Sequence, residues 1–411
     1  MHFFIIYLVC IAMDAYVYKP VMVLIKNRPE KLRKVVKVVY WGVPLVLLII
    51  SMAYSSITDW HMARYARYLI IGLVSVNYIP KIFVVLVLLV HDLLQLVRWV
   101  GKKAMSPKKP ISTENIITRG EFISKAALLS AAAPLGLMGY GILKGAYDFR
   151  VRRQTIYSRN LPASFDGLTI GQISDIHTGS LTNHMSVKGG IDMLLNEKPD
   201  IIFFTGDLVN NKTREVNEFI PVLDKVRAPL GVFSVTGNHD YGDYSRWKTP
   251  EEKQKNFQDL VEAHGAMGYD LLLNANRTIE QGGEKISIIG VENWGAGRFQ
   301  KYGKLDEAYK GSEESAFKIL LSHDPSHWDA QVRPGYKNID LMLAGHTHGF
   351  QFGVEAGDIK WSPSQYIYKQ WAGLYQEGDQ YLYVNRGFGF IGFPGRVGIP
   401  PELTIITLKK A

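Results

Sequence analysis

The sequence has only one cysteine, Cys10, among its 411 residues. A single thiol excludes an intramolecular disulfide framework, and it excludes a zinc site built from cysteine ligands. The sequence also has no internal repeat that would indicate a solenoid. Its length exceeds that of a typical single domain, and its 47% hydrophobic content is concentrated in the first third. We therefore predict a membrane region followed by a soluble domain.

The net charge of +9 admits two kinds of partner, nucleic acid and an anionic membrane surface. Most of the basic clusters flank the apolar segments of the first third. This distribution favours membrane lipids as partners, and a nucleic-acid partner is not expected.

Four apolar segments are long enough to cross a bilayer, which takes about 20 residues. They contain few charged residues, among them Asp14 and Lys81. The alternative for some of them is a core helix of a soluble domain. We predict a membrane domain over residues 1–145, and a Pro-Lys segment at 105–110 is the clearest linker. The predicted transmembrane helices are residues 3–24, 38–57, 68–90 and 122–143.

Basic residues are frequent in the first and third connections between these segments, so these connections should face the cytoplasm. With four spans, the chain that follows the last one lies on the opposite side. Arg150, Arg152 and Arg153 argue against this orientation, because they follow the fourth span closely. We predict an integral, multi-pass membrane protein whose soluble domain lies on the non-cytoplasmic side.

The pattern changes in residues 150–411, where short apolar runs alternate with helical stretches. The runs LTIGQISDIHTG, DIIFFTGDLV and GVFSVTGNHD read as strands, and helices are predicted between them at residues 186–196 and 213–226. This alternation indicates the βαβ units of an α/β domain. In such sheets, ligand-binding groups collect at the carboxyl ends of the strands.

Residues able to bind metal stand at these predicted strand ends. A strand that ends in AGHTHG would direct His346 and His348 to one point, since alternate residues share a face. Two carboxylates, one amide and four imidazoles favour Mn, Fe or Zn over Ca. Seven side chains are too many for one ion with an open position, and they suit two ions bridged by a carboxylate. The seven are Asp175, His177, Asp207, Asn238, His323, His346 and His348.

Five motifs occur in a fixed order: D-x-H, G-D, G-N-H-D, a lone His and G-H-x-H. This order resembles the calcineurin-like metallophosphoesterase superfamily, and the lead-in LPASFDGLTIGQISDIHTG and the tail NRGFGFIGFPGRVGIPPELTII look like its membrane-anchored branch. The resemblance covers residues 161–408. It implies a β-sandwich flanked by helices, in four αββα layers, and hydrolysis of a phosphoester by a hydroxide that bridges two metal ions.

The resemblance also implies a role for each site residue. Asp207 would bridge the ions. His239 would not bind metal but would protonate the leaving oxygen or stabilise the phosphate charge, with Asp240 as its orienting carboxylate. The alternative for His239 is a structural polar residue. The first ion would be bound by Asp175, His177 and His348, and the second by Asn238, His323 and His346.

The predicted function is a membrane-anchored, dinuclear hydrolase of phosphoric esters or pyrophosphates. Tethering to a membrane favours a lipid-linked substrate, because it raises the local concentration of lipids. A nuclease and a generic phosphodiesterase remain alternatives. A non-catalytic, membrane-tethered binding module is a further one, although all seven ligands are present.

Two features near the site affect the approach of substrate. Phe350 stands where relatives often have a second glycine, and it adds bulk beside the metals. The segment 361–375, WSPSQYIYKQWAGLY, is predicted to lie near the cleft, with Trp371 and Tyr375 in contact with the bilayer as a lipid-side wall. The alternative is a hydrophobic flap packed on the domain.

Overall fold

The computed structural model describes residues 2–57, 60–102, 119–357 and 359–411. The predicted linker at residues 105–110 lies outside the described residues. The chain divides into two compact units, Met1–Tyr140 and Gly141–Ala411. We call them the membrane unit and the catalytic unit, after the functions predicted for them from the sequence.

Long apolar helices form the membrane unit, and they give four candidate membrane spans. The third helix has 43 residues, which makes it longer than the predicted span at residues 68–90, and it continues through Pro80. The fourth span is divided into two helices at Ala131. The helices are α1 (His2–Leu24), α2 (Glu30–Ala53), α3 (Trp60–Lys102), α4 (Arg119–Ser130) and α5 (Ala132–Leu143), the last of which reaches into the catalytic unit.

A buried aspartate, Asp14, connects three of these helices. Asp14 of α1 is fully buried, and its two carboxylate oxygens accept hydrogen bonds from Lys81 Nζ at 2.6 Å and from the Tyr78 hydroxyl at 2.9 Å, both in α3. The hydroxyl of Tyr40 in α2 donates to the backbone carbonyl of Asp14 at 2.7 Å. Charged side chains in a membrane span are costly unless they are paired in this way. The pairing therefore explains how the span tolerates Asp14.

Two six-stranded sheets packed face to face form the catalytic unit. The first has the order β1-β14-β2-β3-β4-β5 and the second β12-β13-β9-β8-β7-β6, and a shared core of buried aliphatic and aromatic side chains lies between them. A two-stranded hairpin, β10–β11, stands apart from both sheets. The strands are β1 (Arg150–Ser158), β2 (Thr169–Ile173), β3 (Ile201–Phe204), β4 (Val232–Ser234), β5 (Asp270–Leu271), β6 (Ala275–Gln281), β7 (Glu284–Gly290), β8 (Phe317–Leu321), β9 (Leu341–Ala344), β10 (Val354–Ala356), β11 (Ile359–Trp361), β12 (Gly373–Glu377), β13 (Gln380–Val384) and β14 (Glu402–Lys410).

Helices cover the outer faces of both sheets, which confirms the predicted four-layer αββα sandwich. On the second sheet, Leu305 and Trp328 pack against Leu320 and Met342. On the first, Leu194 lies beside Gly171 of β2. The helices are α6 (His184–Asn196), α7 (Ile220–Leu223), α8 (Pro250–Ala266), α9 (Leu305–Tyr309) and α10 (Arg333–Gly335), which continues a π-helical turn over Trp328–Val332.

The helix predicted at residues 213–226 is much shorter than expected. Only a 3-10 turn at Thr213–Glu215 and the four residues of α7 are helical. Glu215 accepts hydrogen bonds from the backbone N–H groups of residues 210, 211 and 212, so its turn closes on the preceding loop. Pro221 has no N–H to extend a helix from that turn.

The site is positioned by parallel strands. In the first sheet β2 is parallel to β3 and β3 to β4, and in the second β7, β8 and β9 are parallel. Parallel strands bring their carboxyl ends to one edge of a sheet. The loops after β2, β3, β4, β8 and β9 carry all nine predicted site residues.

Candidate metal centre

The first group of predicted ligands consists of Asp175 and His177, which follow β2, and His348, which follows β9. All three are buried. Nε2 of His348 lies 3.0 Å from Nε2 of His177 and 3.3 Å from Oδ1 of Asp175. Three donor atoms that converge in this way can bind a divalent ion.

The second group consists of Asp207 after β3, His323 after β8 and His346 after β9. Nε2 of His323 lies 3.1 Å from Oδ2 of Asp207 and 3.2 Å from Nδ1 of His346. The groups approach each other at Asp207, whose Oδ2 is also 3.5 Å from Nε2 of His177. Among the described residues, the chain therefore has two candidate metal sites that meet at one carboxylate.

Asn238 is the remaining predicted ligand, and it follows β4. Its amide nitrogen donates to the hydroxyl of Tyr244 at 2.9 Å. Its carbonyl oxygen Oδ1 is buried and has no hydrogen-bond partner among the described residues. Buried acceptors are rarely left unpaired, so this oxygen fits a role as a metal ligand.

The electrostatics of the imidazoles also fit a metal centre. Burial lowers the pKa of His177 to about 3 and that of His346 to about 4, so these rings are neutral, which is the form that binds metal. Burial acts in the same direction on His323, but the carboxylate of Asp207 outweighs it and raises the pKa of His323 to about 10. Binding of a cation by His323 must therefore release a proton.

The backbone at the site is strained. Asp175, His177, Asp207, His346 and His348 all have positive φ, between 48° and 72°. Residues other than glycine pay of order 1–3 kcal/mol for such conformations, which persist only where the surrounding structure fixes them. The strain is thus concentrated on five of the seven predicted ligands.

Two of the glycines before the ligands serve to make room for carboxylates. A Cβ at Gly237 would collide with the carboxylate of Asp207, and one at Gly345 would collide with that of Asp175. Gly206 has a different function, because its φ of +93° is one that L side chains rarely adopt. Of these three glycines, only Gly206 has a positive φ.

Comparison with known proteins shows the family of this chain. Residues 168–350 match the family described as "Calcineurin-like phosphoesterase". Residues 1–146 match "Probable Calcineurin-like phosphoesterase, transmembrane domain". The "Uncharacterized metallophosphoesterase YkuE" of Bacillus subtilis is 32% identical over 288 residues, which are 69% of this chain and 94% of the relative. The chain belongs to the calcineurin-like metallophosphoesterase family.

Relatives with a membrane part are also found. A "Transmembrane protein with metallophosphoesterase domain" of Danio rerio is 27% identical over 310 residues, which are 73% of this chain and 66% of the relative. Together with the matched transmembrane domain and the four candidate spans, this makes the chain a membrane-linked metallophosphoesterase. Among solved structures, the NAD nucleotidase of Haemophilus influenzae aligns with 54% of this chain and 45% of its own, at a TM-score of 0.36 and 14% identity.

His239 of this metallophosphoesterase lies between the two groups of ligands. Its backbone N–H donates to Oδ1 of Asp207 at 2.9 Å, and its ring meets that of His177 edge to face, with 5.0 Å between the ring centres. Nδ1 is 2.6 Å from the backbone carbonyl of Asn210. Among the described residues, Nε2 has no hydrogen-bond partner.

Asp240 does not contact His239 as expected. Its buried carboxylate instead accepts hydrogen bonds from the backbone N–H groups of Asp207, Leu208 and Gly237 at 2.8–2.9 Å. The side chain therefore fixes the loops after β3 and β4, and the carbonyl of Asn210 orients His239 in its place. Adjacent residues in a tight turn point in different directions, which sequence proximity does not reveal.

Three contacts at the metallophosphoesterase site were not predicted, although Tyr368 belongs to the segment 361–375 that was expected near the cleft. The hydroxyl of Tyr368 is 2.7 Å from Nε2 of His346, so Nδ1 of His346 is left to face His323. The guanidinium of Arg396 is buried, with Nη2 3.1 Å from Nδ1 of His348. Such contacts to the second ring nitrogen fix the orientation of a ligand. Tyr244, which holds Asn238, lies only six residues after it, but nothing in that spacing indicated the contact.

In the segment 361–375, Trp371 and Tyr375 do not form the predicted wall in contact with the bilayer. Trp371 is only 5% exposed and packs with Ile399, and the hydroxyl of Tyr375 lies 3.1 Å from the backbone N–H of Trp371. These two side chains are therefore part of the packed domain. Tyr366 and Ile367 are instead 75% and 68% exposed.

Phe350 adopts a φ of +51°, a conformation that suits glycine. Its side chain is 43% exposed. The position therefore has the backbone geometry of a glycine but presents an aromatic ring to solvent.

Proposed function

We propose that this protein hydrolyses a phosphoester or pyrophosphate bond with two divalent ions, one in each group of ligands. The observation that carries the proposal is the position of Oδ2 of Asp207, 3.5 Å from His177 of the first group and 3.1 Å from His323 of the second. When bound, a pair of ions in this family of sites neutralises phosphate charge and lowers the pKa of the attacking water. Mn, Fe and Zn suit the nitrogen-rich set of ligands.

The protein's own groups then position the substrate and move a proton. Nδ1–H of His239 donates to the carbonyl of Asn210, which leaves Nε2 for the substrate. A protonated Nε2 can donate its proton to the oxygen that leaves phosphorus. His239 is held by the same Asp207 carboxylate that adjoins both groups, so the acid and the ions keep a fixed spacing.

The test uses the full chain in detergent with bis(4-nitrophenyl) phosphate, a soluble diester. We expect hydrolysis that stops after chelation and returns with Mn, Fe or Zn. The control is the same protein treated with a metal-saturated chelator, which should stay active. A metal-loaded protein that binds the diester without cleaving it would identify a binding module and contradict the proposal.

The hairpin supports a lipid-linked substrate. Its charged side chains contact the rest of the unit and its apolar side chains are exposed, which is the reverse of a usual surface hairpin. Glu355 turns inward and pairs with Arg386 at 2.7 Å, and Lys360 turns inward to the carbonyl of Ala372. The alternating residues turn outward, and with their neighbours they form an apolar patch. We call this the hairpin patch, and it consists of Phe350, Phe352, Val354, Ile359, Trp361, Tyr366 and Ile367, each 37–75% exposed.

The hairpin patch is continuous and adjoins the metal centre. The rings of Phe352 and Trp361 are 6.5 Å apart, and Trp361 Nε1 is 3.4 Å from the hydroxyl of Tyr366. Tyr368, which contacts His346, follows directly. An exposed apolar patch of this kind marks a membrane or partner surface. We propose that it contacts the bilayer and admits a phosphate carried on a lipid.

The chain also enters the catalytic unit beside the hairpin patch. The carbonyl of Gly141, near the end of α5, accepts a hydrogen bond from the N–H of Arg396. The next residue, Val397, exchanges backbone hydrogen bonds with Gln351 and Gly353 at 2.7 and 2.9 Å. Gly141 and the hairpin patch are therefore neighbours within the catalytic unit.

The hairpin patch gives a prediction that separates lipid access from chemistry. We expect Ile359→Ser with Ile367→Ser to lower hydrolysis of a long-chain lipid phosphoester in vesicles by about tenfold, because two apolar contacts of more than about 1.4 kcal/mol in total are lost. Hydrolysis of the soluble diester and the melting temperature should not change. The matched control is Val261→Ser on α8, which is 37% exposed and lies outside the hairpin patch. A parallel loss of both activities would show that the hairpin is structural.

We propose a non-cytoplasmic position for the catalytic unit. The arginines that argued against it have carboxylate partners, since Arg150 pairs with Asp148, Arg152 with Glu355 and Arg153 with Glu197. The proposal rests on the basic residues of the first and third connections, which favour the cytoplasmic side. A reporter fused after Ala411 tests this position, and a cytoplasmic reporter signal would contradict it.

A further inference from the structure

The membrane unit contains a cavity of about 510 Å³ between α1, α2 and α3. This volume lies in the usual range for a small-molecule site, roughly 300–1,000 Å³. Its walls are apolar, and on α3 they consist of Ile70, Ile71 and Val74, which share one face of the helix. None of these residues belongs to the candidate metal centre.

The two ends of the cavity differ in polarity. One end is lined by Arg67 and by Tyr54, the residue that follows α2. Arg67 is exposed, and no carboxylate among the described residues pairs with it. The other end is lined by Asp14 and Tyr78, which are bonded to each other. Both oxygens of Asp14 have donors, so this end presents no unpaired charge.

The length of the cavity matches one leaflet of a bilayer. Arg67 and Tyr78 are eleven positions apart on α3, which corresponds to about 16 Å at 1.5 Å per residue. Half of a hydrocarbon core is about 15 Å thick. A bilayer aligned with the cavity would have the guanidinium of Arg67 at the level of its headgroups and the bonded pair of Asp14 near its middle.

From this geometry we propose that the cavity binds one hydrocarbon chain of an anionic membrane phospholipid, with the guanidinium of Arg67 on the headgroup phosphate. Apolar walls of one leaflet's depth suit the chain, and Arg67, which pairs with no carboxylate among the described residues, suits a negative headgroup. This site is independent of the proposed hydrolase, since a lipid can be retained there whether or not the metal centre is active.

The test is native mass spectrometry of the full chain in detergent, with phosphatidylglycerol or phosphatidylcholine added. We expect the wild type to retain one phosphatidylglycerol in preference to phosphatidylcholine. Arg67→Gln should reduce that preference about fivefold, the effect of one basic residue at an anionic surface. Val74→Trp should reduce retention of both lipids by more than about tenfold, because the indole displaces several methylene groups of the chain.

The matched control is Leu73→Trp, the adjacent residue, which is 43% exposed and does not line the cavity. It should retain phosphatidylglycerol as the wild type does. If Val74→Trp lowers the melting temperature, Val74→Phe replaces it as a smaller obstruction. Retention unchanged in the cavity variants would refute the site, and equal retention of the two lipids by the wild type would refute its anionic preference.

Discussion

Replacing Asp207 with Asn is expected to deplete metal at both candidate sites and to lower turnover of the soluble diester by about 10²–10³-fold. The reason is the shared position of its carboxylate, 3.1 Å from His323 in one group and 3.5 Å from His177 in the other. An amide of the same shape keeps the volume but removes the charge that holds two cations close together. Elemental analysis of the purified variant measures the loss.

Two further variants serve as comparisons for Asp207→Asn. His348→Ala should deplete mainly the first site, because His348 contacts Asp175 and His177. Asp200→Asn is the matched control, since Asp200 precedes the same strand β3 and accepts hydrogen bonds from Thr169, at the end away from the metal centre. An Asp207→Asn protein with two ions per chain and full turnover would rule out a bridging role.

Replacing His239 with Gln is expected to leave the metal content intact and to lower turnover by roughly 10²–10⁴-fold, the usual contribution of one general acid. The structure motivates this, because His239 adjoins Asp207 through its backbone while its Nε2 is left without a partner among the described residues. The loss should be smaller for 4-nitrophenyl esters, since a good leaving group needs no proton. Steady-state kinetics with esters of graded leaving-group pKa measure the difference.

The control for His239 is His184→Gln, an exposed histidine on α6 that stacks on Phe219 outside the metal centre. It should behave as the wild type with every ester. Equal losses for good and poor leaving groups in the His239 variant would indicate that the residue binds the phosphate rather than donating a proton.

The sequence predicted the strands that carry the site because each one combines a short apolar run with a polar end. The runs before Asp175, Asp207, His323 and His346 are all found as buried strands. A short continuous apolar run that is bounded by polar and turn residues suffices for such predictions. The prediction of a helix at residues 213–226 was wrong. The contacts of Glu215 end its turn, and such contacts cannot be read from a helical pattern.

The conformations of the ligands could not be predicted from the sequence. Residue types did indicate a metal centre, but they gave no sign that Asp175 and His348 would have φ near +50°. These conformations are unfavourable locally and exist because contacts with distant strands fix them. For example, the backbone N–H of Asp175 donates to the backbone carbonyl of Gly206, and that of His177 donates to the backbone carbonyl of Asp207.

The sequence by itself determined the order of the membrane helices and the sandwich, and the chemical types gathered at the strand ends. Hydrophobic period and ordered motifs are local properties, so they can be read along one segment at a time. Only the tertiary structure decided which side chains meet across long separations, such as Tyr368 with His346 or Lys81 with Asp14. It also decided that the hairpin turns Glu355 inward and Trp361 outward, because this depends on the buried Arg386 that the sheet presents to it.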